Sequence, residues 1–402
     1  MNKINTDLNK IDEILNRGTI VEILPTKKEF REKLLSGEKL KFYIGFDATA
    51  PTLHLSHAKN FMLMEKFRKL GHEVIVLFGD FTARIGDPTG ENSARKQLSR
   101  KDVIQNVKKW KELIEPLMDF KDSKNPPKIM YNNDWLTKLT LEDVISLASN
   151  FTVQQMLERD MFQKRIKEKK PIYLHEFLYP LMQGYDSVAM DVDVEVCGTD
   201  QTFNALAGRT LLKKIKGKDK FIMAVTLMEN PKTKELMSKS KGTGVFLDTS
   251  ANDMFGQIMA QPDEMIEILF INNTYLPLEE IKKLMSLDNP RDIKVKLAKE
   301  IITIYHNKKS AEEAEEEFNK IFRDKEKPSE IKSYKLQATD YKLVDLLVEL
   351  KLASSKSEAR RLVQQGGVRI DDIVRKDFNE DIEVKNGMIA QVGKRRFAKI
   401  EI

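Results

Sequence analysis

Apolar and polar positions follow two different periods through the first 230 residues, and this pattern predicts strands and helices in alternation. The runs KFYIGF (41–46) and EVIVLFG (73–79) are short, apolar and rich in β-branched or aromatic residues, so both are expected to be strands. Between them, HAKNFMLMEKFRKLG has apolar residues at helical spacing and ends at Gly71, a residue type common at helix C-termini. Together the segments predict a parallel βαβ unit, which binds ligands at the carboxyl ends of its strands.

A second group of elements follows further along the chain. KIMY (128–131) and VDVEVCG (192–198) are predicted strands, and the helix QTFNALAGRTLLKKIKG and the apolar run KFIMAVTLM come after them. The segment 137–190 is mostly helical in pattern and is expected to be an insertion between the halves of a doubly wound sheet. The prediction for residues 1–245 is therefore an α/β domain with a Rossmann-like parallel sheet.

The rest of the chain is predicted to form two smaller domains. Residues 246–325 have helical spacing, which predicts an all-α domain, and 326–340 have the polar, lysine-rich composition of a linker. Residues 341–402 predict a small α+β module with two helices, the second running from Ser355 or Ser357 to Gly366. Its segment 382–392 is predicted to be a hairpin, because the Asn386-Gly387 pair suits a type I′ turn.

Composition narrows the class of protein. The apolar share of 41% and the charged share of 32% are those of an ordinary globular protein. The single cysteine, Cys197, excludes an internal disulfide and fits a reducing compartment, so a cytoplasmic location is expected. The N-terminal stretch is charged and has no signal-peptide core, and no segment reads as a membrane span.

Basic residues cluster in the C-terminal module, which holds thirteen lysines and arginines against ten acidic residues. A run of charge is usually a solvated surface, and that reading stands for either cluster alone. Two clusters in one small mixed domain favour RNA binding. The candidate RNA-binding residues are Lys356, Arg360, Arg361, Lys394, Arg395 and Arg396.

His54 and His57 stand three residues apart, just after the first predicted strand. They could be metal ligands, but no further histidine or thiolate accompanies them at a suitable spacing. They could also be buried core histidines. A third interpretation is phosphate binding, because imidazoles at a helix N-terminus can donate hydrogen bonds to an oxyanion.

The loop ELMSKSKGTG (235–244) supports the phosphate interpretation, since it places Lys239 between two serines and is followed by glycines. A flexible cationic loop can stabilise charge that develops only in the transition state, such as that of a departing pyrophosphate. An exposed loop without function would have the same composition, so the loop alone decides nothing.

The motifs, taken in order, resemble those of a known family. HLSH resembles the first signature of the class I aminoacyl-tRNA synthetases, and MSKS resembles the second. The stretches YIGFDATAPTLHLSH, GDFTARIGDPTG, YPLMQGYDSVAMDVDVEVCGTDQTFN and LMSKSKG follow the pattern of the bacterial-type tyrosyl-tRNA synthetases. The C-terminal module resembles the S4 RNA-binding domain, so the resemblance covers nearly the whole chain.

This resemblance implies a tyrosine–tRNA ligase that first forms tyrosyl-AMP from tyrosine and ATP and then transfers tyrosine to tRNA(Tyr). Neither step needs a protein nucleophile, so positioning and phosphate stabilisation have to provide catalysis. The implied catalytic residues are His54, His57 and Lys239. Mg²⁺ is expected to arrive with ATP, with no structural metal, and a homodimer is implied. The implied ATP-binding residues are Asp47, Thr49, Gly198, Asp200, Met237, Ser238 and Ser240.

Substrate choice depends on the stretch YPLMQGYD. At helical spacing, Tyr179, Gln183 and Asp186 lie on one face, which suits a polar pocket better than a core contact. By resemblance, Tyr179 and Gln183 bind the α-amino group of tyrosine together with Asp87, whereas Asp186 and Tyr43 bind the phenolic hydroxyl. The family pattern adds Gly45 and Gln201 to the tyrosine site.

Three positions depart from the family pattern. Ser56 replaces the glycine of the first signature, and Leu236 replaces the first lysine of the second. Ala48 replaces a frequent proline. The first two changes leave open a catalytically weak, RNA-binding paralogue, and a tryptophan-specific relative is the nearest alternative in substrate. An adenylyl-transferring enzyme that acts on a small molecule is a further alternative, but the RNA-binding module argues against it.

Overall fold

The structure is a computed structural model that describes residues 3–87, 98–237, 243–324, 331–393 and 396–402. The chain divides into two compact units, Met1–Asn307 and Lys308–Ile402. No helix of the described residues is both long enough and apolar enough to cross a membrane.

The first unit is built on a six-stranded sheet in the order β1-β6-β5-β2-β3-β4. Strand β1 pairs antiparallel with β6, and every other neighbouring pair is parallel. The strands are β1 Ile20–Leu24, β2 Lys41–Phe46, β3 Glu73–Phe78, β4 Lys128–Tyr131, β5 Val194–Gly198 and β6 Phe221–Val225.

Helices cover the sheet and continue beyond it to residue 305. They are α1 Leu8–Asn16, α2 Lys27–Leu35, α3 Leu55–Lys69, α4 Arg100–Ile114, α5 Asn133–Leu136, α6 Leu141–Ala148, α7 Val153–Leu157, α8 Asp160–Lys167, α9 Tyr179–Met190, α10 Thr202–Lys216, α11 Ala251–Met259, α12 Ile266–Asn273, α13 Leu278–Met285 and α14 Pro290–Tyr305. The predicted α/β fold with a parallel sheet is confirmed.

The strand order changes direction between β2 and β5. From β2 the chain adds β3 and then β4 on one side, and from β5 it adds β6 on the other. The carboxyl ends of strands diverge at such a point and leave a crevice in which α/β proteins bind ligands. The predicted strands β2 and β3 form here because both faces are covered over most of their length, at Phe42–Ile44 and Val74–Phe78, where apolar and β-branched residues are favoured.

Helices α9 and α10 pack against each other unusually closely, at Gly184 and Gly208. A Cβ atom added to Gly184 would lie 3.1 Å from the backbone nitrogen of Gly208 and 3.0 Å from a methyl group of Leu211. Both distances are shorter than ordinary carbon contacts. The absence of side chains at these two positions therefore sets the spacing of α9 from α10.

The second unit contains helices and two sheets. A five-stranded sheet has the order β10-β9-β12-β13-β7, and β11 pairs with β8 in a separate two-stranded sheet. Aliphatic side chains from the helices at 343–349 and 356–364 and from the strands form its core, including Leu346, Val363 and Ile400. The elements are α15 Lys308–Asn319, β7 Ser333–Lys335, β8 Asp340–Lys342, α16 Leu343–Glu349, α17 Lys356–Gln364, β9 Val368–Ile370, β10 Ile373–Val374, β11 Asp381–Glu383, β12 Ile389–Val392 and β13 Arg396–Glu401.

One predicted element of this unit is wrong. The segment 382–392 does not form a hairpin, because β11 pairs with β8 whereas β12 lies between β9 and β13. A turn is present, since Gly387 has φ +88° and the Met388 N–H donates to the Lys385 carbonyl. It is not the predicted type I′ turn, because Asn386 lacks the positive φ that this type needs at both central residues. The turn residues were recognised, but the partners of both strands are remote in sequence.

Two predicted features near the linker can be compared with the structure. Helix α17 begins after Ser355, whose side chain accepts a hydrogen bond from the Glu358 N–H, so Ser355 is the cap. Strand β7 falls within the stretch 326–340 and pairs in parallel with β13. The domain boundaries at 245, 325 and 340 stay predictions.

The close packing of α9 and α10 gives a test with a matched control. We expect Gly184→Ala to lower the free energy of unfolding by about 1 to 3 kcal/mol, because the new methyl group meets backbone that cannot move aside. Gly256→Ala, also inside a helix but with no atom within 4 Å of the added Cβ, should be neutral or stabilise by about 0.5 to 1 kcal/mol. Urea unfolding followed by circular dichroism measures both changes, and equal effects would contradict the packing argument.

Candidate functional site

The crevice at the ends of β2 and β5 brings together most of the described candidate residues. Asp47 follows β2 directly, His54 precedes the first residue of α3, and Thr199–Gln201 form a short 3-10 turn after β5. Helix α9 contributes Tyr179, which bonds to Asp47. These segments are remote in sequence, and the parallel sheet aligns their ends at one edge.

His54 and His57 stand together at the start of α3. His54 is the N-cap residue, and the two ring centroids are 4.1 Å apart. The backbone N–H of His54 donates to Nδ1 of His57 at 3.4 Å, so the ring proton of neutral His57 belongs on Nε2. The rings of Trp110 and His57 meet edge to face, with their centroids 5.5 Å apart.

Both imidazoles are neutral at pH 7. Burial lowers the pKa of His54 to about 4, and burial, with smaller contributions from the neighbouring His54 and Lys59, lowers the pKa of His57 to about 3. A neutral imidazole has one N–H and can donate one hydrogen bond without carrying charge. The pair therefore suits hydrogen bonding to phosphate oxygens, and full positive charge has to come from other groups.

Hydrogen bonds from the backbone and from two side chains hold the loop between β2 and α3 in place. Thr49 donates its N–H to the Asp47 carbonyl at 2.8 Å, and Trp110 donates its indole N–H to the Ala50 carbonyl at 2.7 Å. Asn106 donates to the carbonyl of Ala48, the position where proline is frequent in the family pattern, at 2.8 Å. Helix α4 thus positions the loop through two side chains that sequence reasoning missed.

Asp47 lies between the end of β2 and α9. Its carboxylate accepts hydrogen bonds from Thr82 Oγ1 at 2.7 Å and from the Tyr179 hydroxyl at 2.9 Å. Burial raises the pKa of Asp47 to about 7, against the opposite effect of those two hydrogen bonds. Gly79 makes room for the carboxylate, since a Cβ there would lie 2.0 Å from its Oδ1.

The predicted polar face of α9 points toward β2 and β5. Asp186 is buried and accepts from Trp135 Nε1 at 2.7 Å and from Asn132 Nδ2 at 3.3 Å. Burial raises the pKa of Asp186 well above its usual range. Gln183 accepts from Asn204 Nδ2 at 3.0 Å and donates to Glu195.

Tyr43 and Gly45 lie on β2, beside the polar face of α9. The Tyr43 hydroxyl is buried and lies 3.2 Å from Ser187 Oγ, and burial with the nearby Glu195 and Asp186 raises the pKa of Tyr43 well above its usual range. Gly45 is exposed, and a Cβ added there would meet only ordinary contacts near 4 Å. Glycine at this position therefore leaves the space open beside Tyr43.

Asp87 and the residues after β5 are joined by Gln201. Its Nε2 donates to Asp87 Oδ2 at 2.7 Å and to Asp200 Oδ2 at 3.3 Å, and its Oε1 accepts from Asn204 at 2.7 Å. A side chain at Gly198 would crowd Asp200, because a Cβ atom there would lie 2.4 Å from Oδ1 of its carboxylate. This arrangement keeps the Asp200 carboxylate beside the end of β5.

The second signature is only partly described. Met237 is buried, and its N–H donates to the Met228 carbonyl at 3.3 Å. Leu236, which replaces a lysine of the family pattern, is half exposed. Ser238, Lys239 and Ser240 lie outside the described residues.

The candidate RNA-binding residues of the second unit lie on α17 and β13. Lys356, Arg360 and Arg361 are exposed on α17, with Arg360 over the Phe378 ring at 5.6 Å. Arg396 donates to the Leu352 carbonyl at 2.7 Å and pairs with Glu358 at 3.5 Å. The other two candidates, Lys394 and Arg395, lie outside the described residues.

Several contributors to the site were missed by sequence reasoning. Asn132 donates to both Thr82 and Asp186, and it follows a predicted strand end, a position that could have signalled it.

Within the described ranges, no group of three or more histidine, cysteine or acidic side chains is arranged to hold a metal ion.

Comparisons with known proteins show what the chain is similar to. The family described as tRNA synthetases class I (W and Y) matches residues 35–323, and the S4 domain matches 342–385. The chain is 43% identical over 405 residues to the tyrosine–tRNA ligase of Carboxydothermus hydrogenoformans, covering 96% of this chain and 97% of that protein. It is 42% identical over 401 residues to the tyrosine–tRNA ligase of Haemophilus influenzae, covering 99% of this chain and 98% of that one.

Solved structures support the fold. The C-terminally truncated mitochondrial tyrosyl-tRNA synthetase of Aspergillus nidulans superimposes with a TM-score of 0.65 at 24% identity. The match covers 78% of this chain and 94% of that structure.

The raised pKa of Asp47 gives a pH-dependent test. When the pKa of an aspartate is higher in the folded than in the unfolded protein, the free energy of unfolding falls as pH rises from the unfolded pKa to the folded pKa. For Asp47 this range is from about 4 to about 7. Asp47→Asn removes this dependence, so we expect the variant to gain on the order of 2 kcal/mol relative to the wild type between pH 5 and pH 8.

Urea unfolding of both proteins at each pH, without ligands, measures the difference. Asp134→Asn, at an exposed carboxylate, controls for the removal of one negative charge. A constant difference between Asp47→Asn and the wild type would contradict the assigned shift.

Proposed function

The chain belongs to the class I tRNA synthetases of the tryptophan and tyrosine group, among the tyrosine–tRNA ligases, and we propose that the crevice between β2 and β5 is its catalytic site. The chain is an ATP-dependent ligase that activates L-tyrosine as tyrosyl-AMP with release of pyrophosphate. It then transfers the tyrosyl group to the 3′ end of tRNA(Tyr). The roles of individual residues below are our proposal.

In the first step, the tyrosine carboxylate attacks the α-phosphate of ATP and pyrophosphate leaves. His54 and His57 donate N–H groups to phosphate oxygens as neutral imidazoles, which fits their low pKa values. Lys239 supplies the positive charge opposite the departing pyrophosphate. Mg²⁺ would be carried on the phosphates of ATP and would help to neutralise their charge.

The adenosine of ATP is assigned to the ends of β2 and β5. Gly198 allows a ligand to approach closely, and Asp200 accepts hydrogen bonds from the ribose hydroxyls. Thr49, Met237, Ser238 and Ser240 complete the proposed nucleotide site. Asp47 connects this site to the amino acid through its bond to Tyr179.

The amino acid is assigned to the polar face of α9. Tyr179, Gln183 and Asp87 bind the α-amino group, Gln201 holds Asp87 in place, and Gly45 leaves space for the substrate. The phenolic hydroxyl meets Asp186 and Tyr43 at the closed end. Phenylalanine leaves these buried polar groups without a partner, which is costly.

The observation that carries this proposal is the buried polar cluster around Asp186. Trp135 and Asn132 both donate to its carboxylate at the edge of the sheet where α/β folds bind ligands. A helix packed on a sheet ordinarily buries aliphatic side chains there. A phenol-binding pocket accounts for the polar residues, and it favours tyrosine over tryptophan.

The second unit is proposed to bind tRNA. Lys356, Arg360 and Arg361 present exposed positive charge on one helix, and Arg396 extends this charge onto β13. Such side chains bind phosphates with little dependence on sequence. Lys394 and Arg395 belong to the same proposed surface, and the helical segment 246–325 is assigned to the anticodon side of the enzyme.

Tyrosine-dependent ATP–pyrophosphate exchange tests the catalytic proposal. We expect fast exchange with tyrosine and far slower exchange with phenylalanine or tryptophan at equal concentrations. His57→Ala and Lys239→Ala should each lower the exchange rate on the order of a hundredfold, because each removes a donor to the transition-state charge.

His306→Ala, at an exposed histidine after α14, is the matched control and should leave exchange unchanged. Exchange that persists in both active-site variants would overturn the assignment of these residues. No exchange with any amino acid would favour the RNA-binding paralogue, in which Ser56 and Leu236 have weakened ATP binding.

We further propose that the enzyme is a homodimer and is cytoplasmic. Segment 137–177 exposes several large apolar side chains, among them Leu141 and Ile145 on α6 and Leu174, which is 80% exposed. Monomeric proteins rarely expose so many in one segment, so a second copy is the proposed partner. The cytoplasmic location is supported by the single cysteine, Cys197.

Ile145→Asp tests the dimer. A charge on the proposed contact surface should shift sedimentation from the mass of two chains to that of one. Ile373→Asp places the same change on an exposed isoleucine of the second unit and should leave the mass unchanged. Sedimentation velocity at micromolar concentration distinguishes the two, and a wild-type protein that sediments as one chain would refute the proposal.

A further inference from the structure

A buried ion pair lies behind the candidate tyrosine site. Lys220, just before β6, donates to the Glu195 carboxylate on β5, and their side chains are 0% and 2% exposed. Removing two charges from water costs more than their attraction usually returns, so a buried pair is weak evidence for a stabilising role. Its contacts point to another role.

The lysine has a dedicated space between α9 and α10. A Cβ added to Gly208 would lie 2.7 Å from Lys220 Nζ and 2.9 Å from Ser187 Oγ. The same glycine that permits close helix packing therefore admits the ammonium group. Nζ lies 5.7 Å from the centroid of the Tyr43 ring, within the range of a cation–π contact.

The ion pair is connected to two candidate tyrosine-binding residues. Glu195 Oε1 accepts from Gln183 Nε2 at 3.3 Å. Ser187 Oγ accepts from Lys220 Nζ at 2.7 Å, lies 3.3 Å from Glu195 Oε2 and lies 3.2 Å from the Tyr43 hydroxyl. Through Ser187 and Glu195, one charged pair contacts both ends of the proposed amino-acid site.

A consistent assignment of donors gives these hydrogen bonds a direction. The Lys220 ammonium donates to Ser187 Oγ, and the Ser187 hydroxyl donates its single proton to Glu195 Oε2. With that proton engaged, we take the Tyr43 hydroxyl as the donor to the remaining lone pair of Ser187 Oγ. The Tyr43 oxygen retains lone pairs that can accept a hydrogen bond from a ligand.

We propose that the Lys220–Glu195 pair is a positioning element that, through Ser187, makes Tyr43 a hydrogen-bond acceptor for the phenolic O–H of the substrate. The inference rests on the proposed tyrosine site and deepens it. A phenol can donate to such an acceptor, whereas the ring of phenylalanine cannot. The ion pair thereby contributes to the choice of substrate without touching it.

Another buried pair in the same unit serves as a control. Arg68 donates to Glu65 near the end of α3, where both side chains are about 5% exposed. That pair also contacts Asp122 and the Asn125 carbonyl. It lies about 15 to 20 Å along α3 from His54, at 1.5 Å per residue.

The test compares three variants in ATP–pyrophosphate exchange. Ser187→Ala removes the link to Tyr43 and leaves both charges paired. The double variant Lys220→Met with Glu195→Gln removes the charges together, so that no unpaired buried ion threatens folding. Glu65→Gln with Arg68→Met makes the same change at the control pair.

We expect Ser187→Ala and the Lys220/Glu195 variant to lower the ratio of kcat/KM for tyrosine to that for phenylalanine about tenfold or more. The loss should appear in KM for tyrosine, with KM for ATP unchanged. The control pair should keep the wild-type ratio even if it is less stable in urea. Circular dichroism confirms that each variant is folded.

The outcomes separate the two proposals. An unchanged tyrosine-to-phenylalanine ratio in folded Ser187→Ala, while the wild type exchanges with tyrosine, overturns the positioning role alone. A fall of the ratio in the control pair as well also overturns it, since any buried pair would then act. A wild type that neither binds tyrosine in calorimetry nor exchanges overturns the proposed site and this inference together.

Discussion

The approach of α9 to α10 at Gly184 and Gly208 is the constraint on which the rest of the site depends. Because neither helix has a side chain at the contact, α9 and α10 lie close together, and the polar face of α9 lies against β2 and β5. That face carries Tyr179, Gln183 and Asp186, and the gap left by Gly208 admits the Lys220 ammonium. A larger residue at either glycine would displace the face and close the gap.

Burial decides the charge state of the crevice as much as the choice of residues does. His54 and His57 are kept neutral, and the pKa values of Asp47 and Asp186 are raised. These four groups therefore offer hydrogen-bond donors and acceptors and carry less charge at pH 7 than they would in water. In the proposed mechanism, positive charge enters with Mg²⁺ and Lys239, so it is concentrated on the phosphates when ATP is present.

Sequence reasoning succeeded where local pattern and tertiary structure agree. Strands β2 and β3 could be predicted because burial on both faces leaves a continuous apolar signal, and Gly71 after α3 has the positive φ expected of its type. The two histidines were found because their spacing places them on the first turn of a helix.

The misses have a common physical cause, which is that pairing partners are remote in sequence. A turn forms at Asn386-Gly387, although not of the predicted type I′, and nothing in the local sequence specifies that β11 pairs with β8. A lysine before a strand reads as solvated, so Lys220 gave no signal, and its partner Glu195 looked like one polar position in an apolar strand. Only the register of β5 beside β6 brings them together.

The seam between β2 and β5 also has a consequence for folding. It joins distant parts of the chain, since Lys41 donates its N–H to Asp193 across 152 positions. Contacts of such long sequence separation form late, because a large loop has to close before they contribute. The pocket at this seam is therefore expected to assemble after the β2–β3 and β5–β6 pairs, whose partners are much nearer in sequence. Ligands that bind only the closed seam shift that equilibrium by mass action, so the cellular supply of amino acid and nucleotide helps to determine how much of the chain is folded.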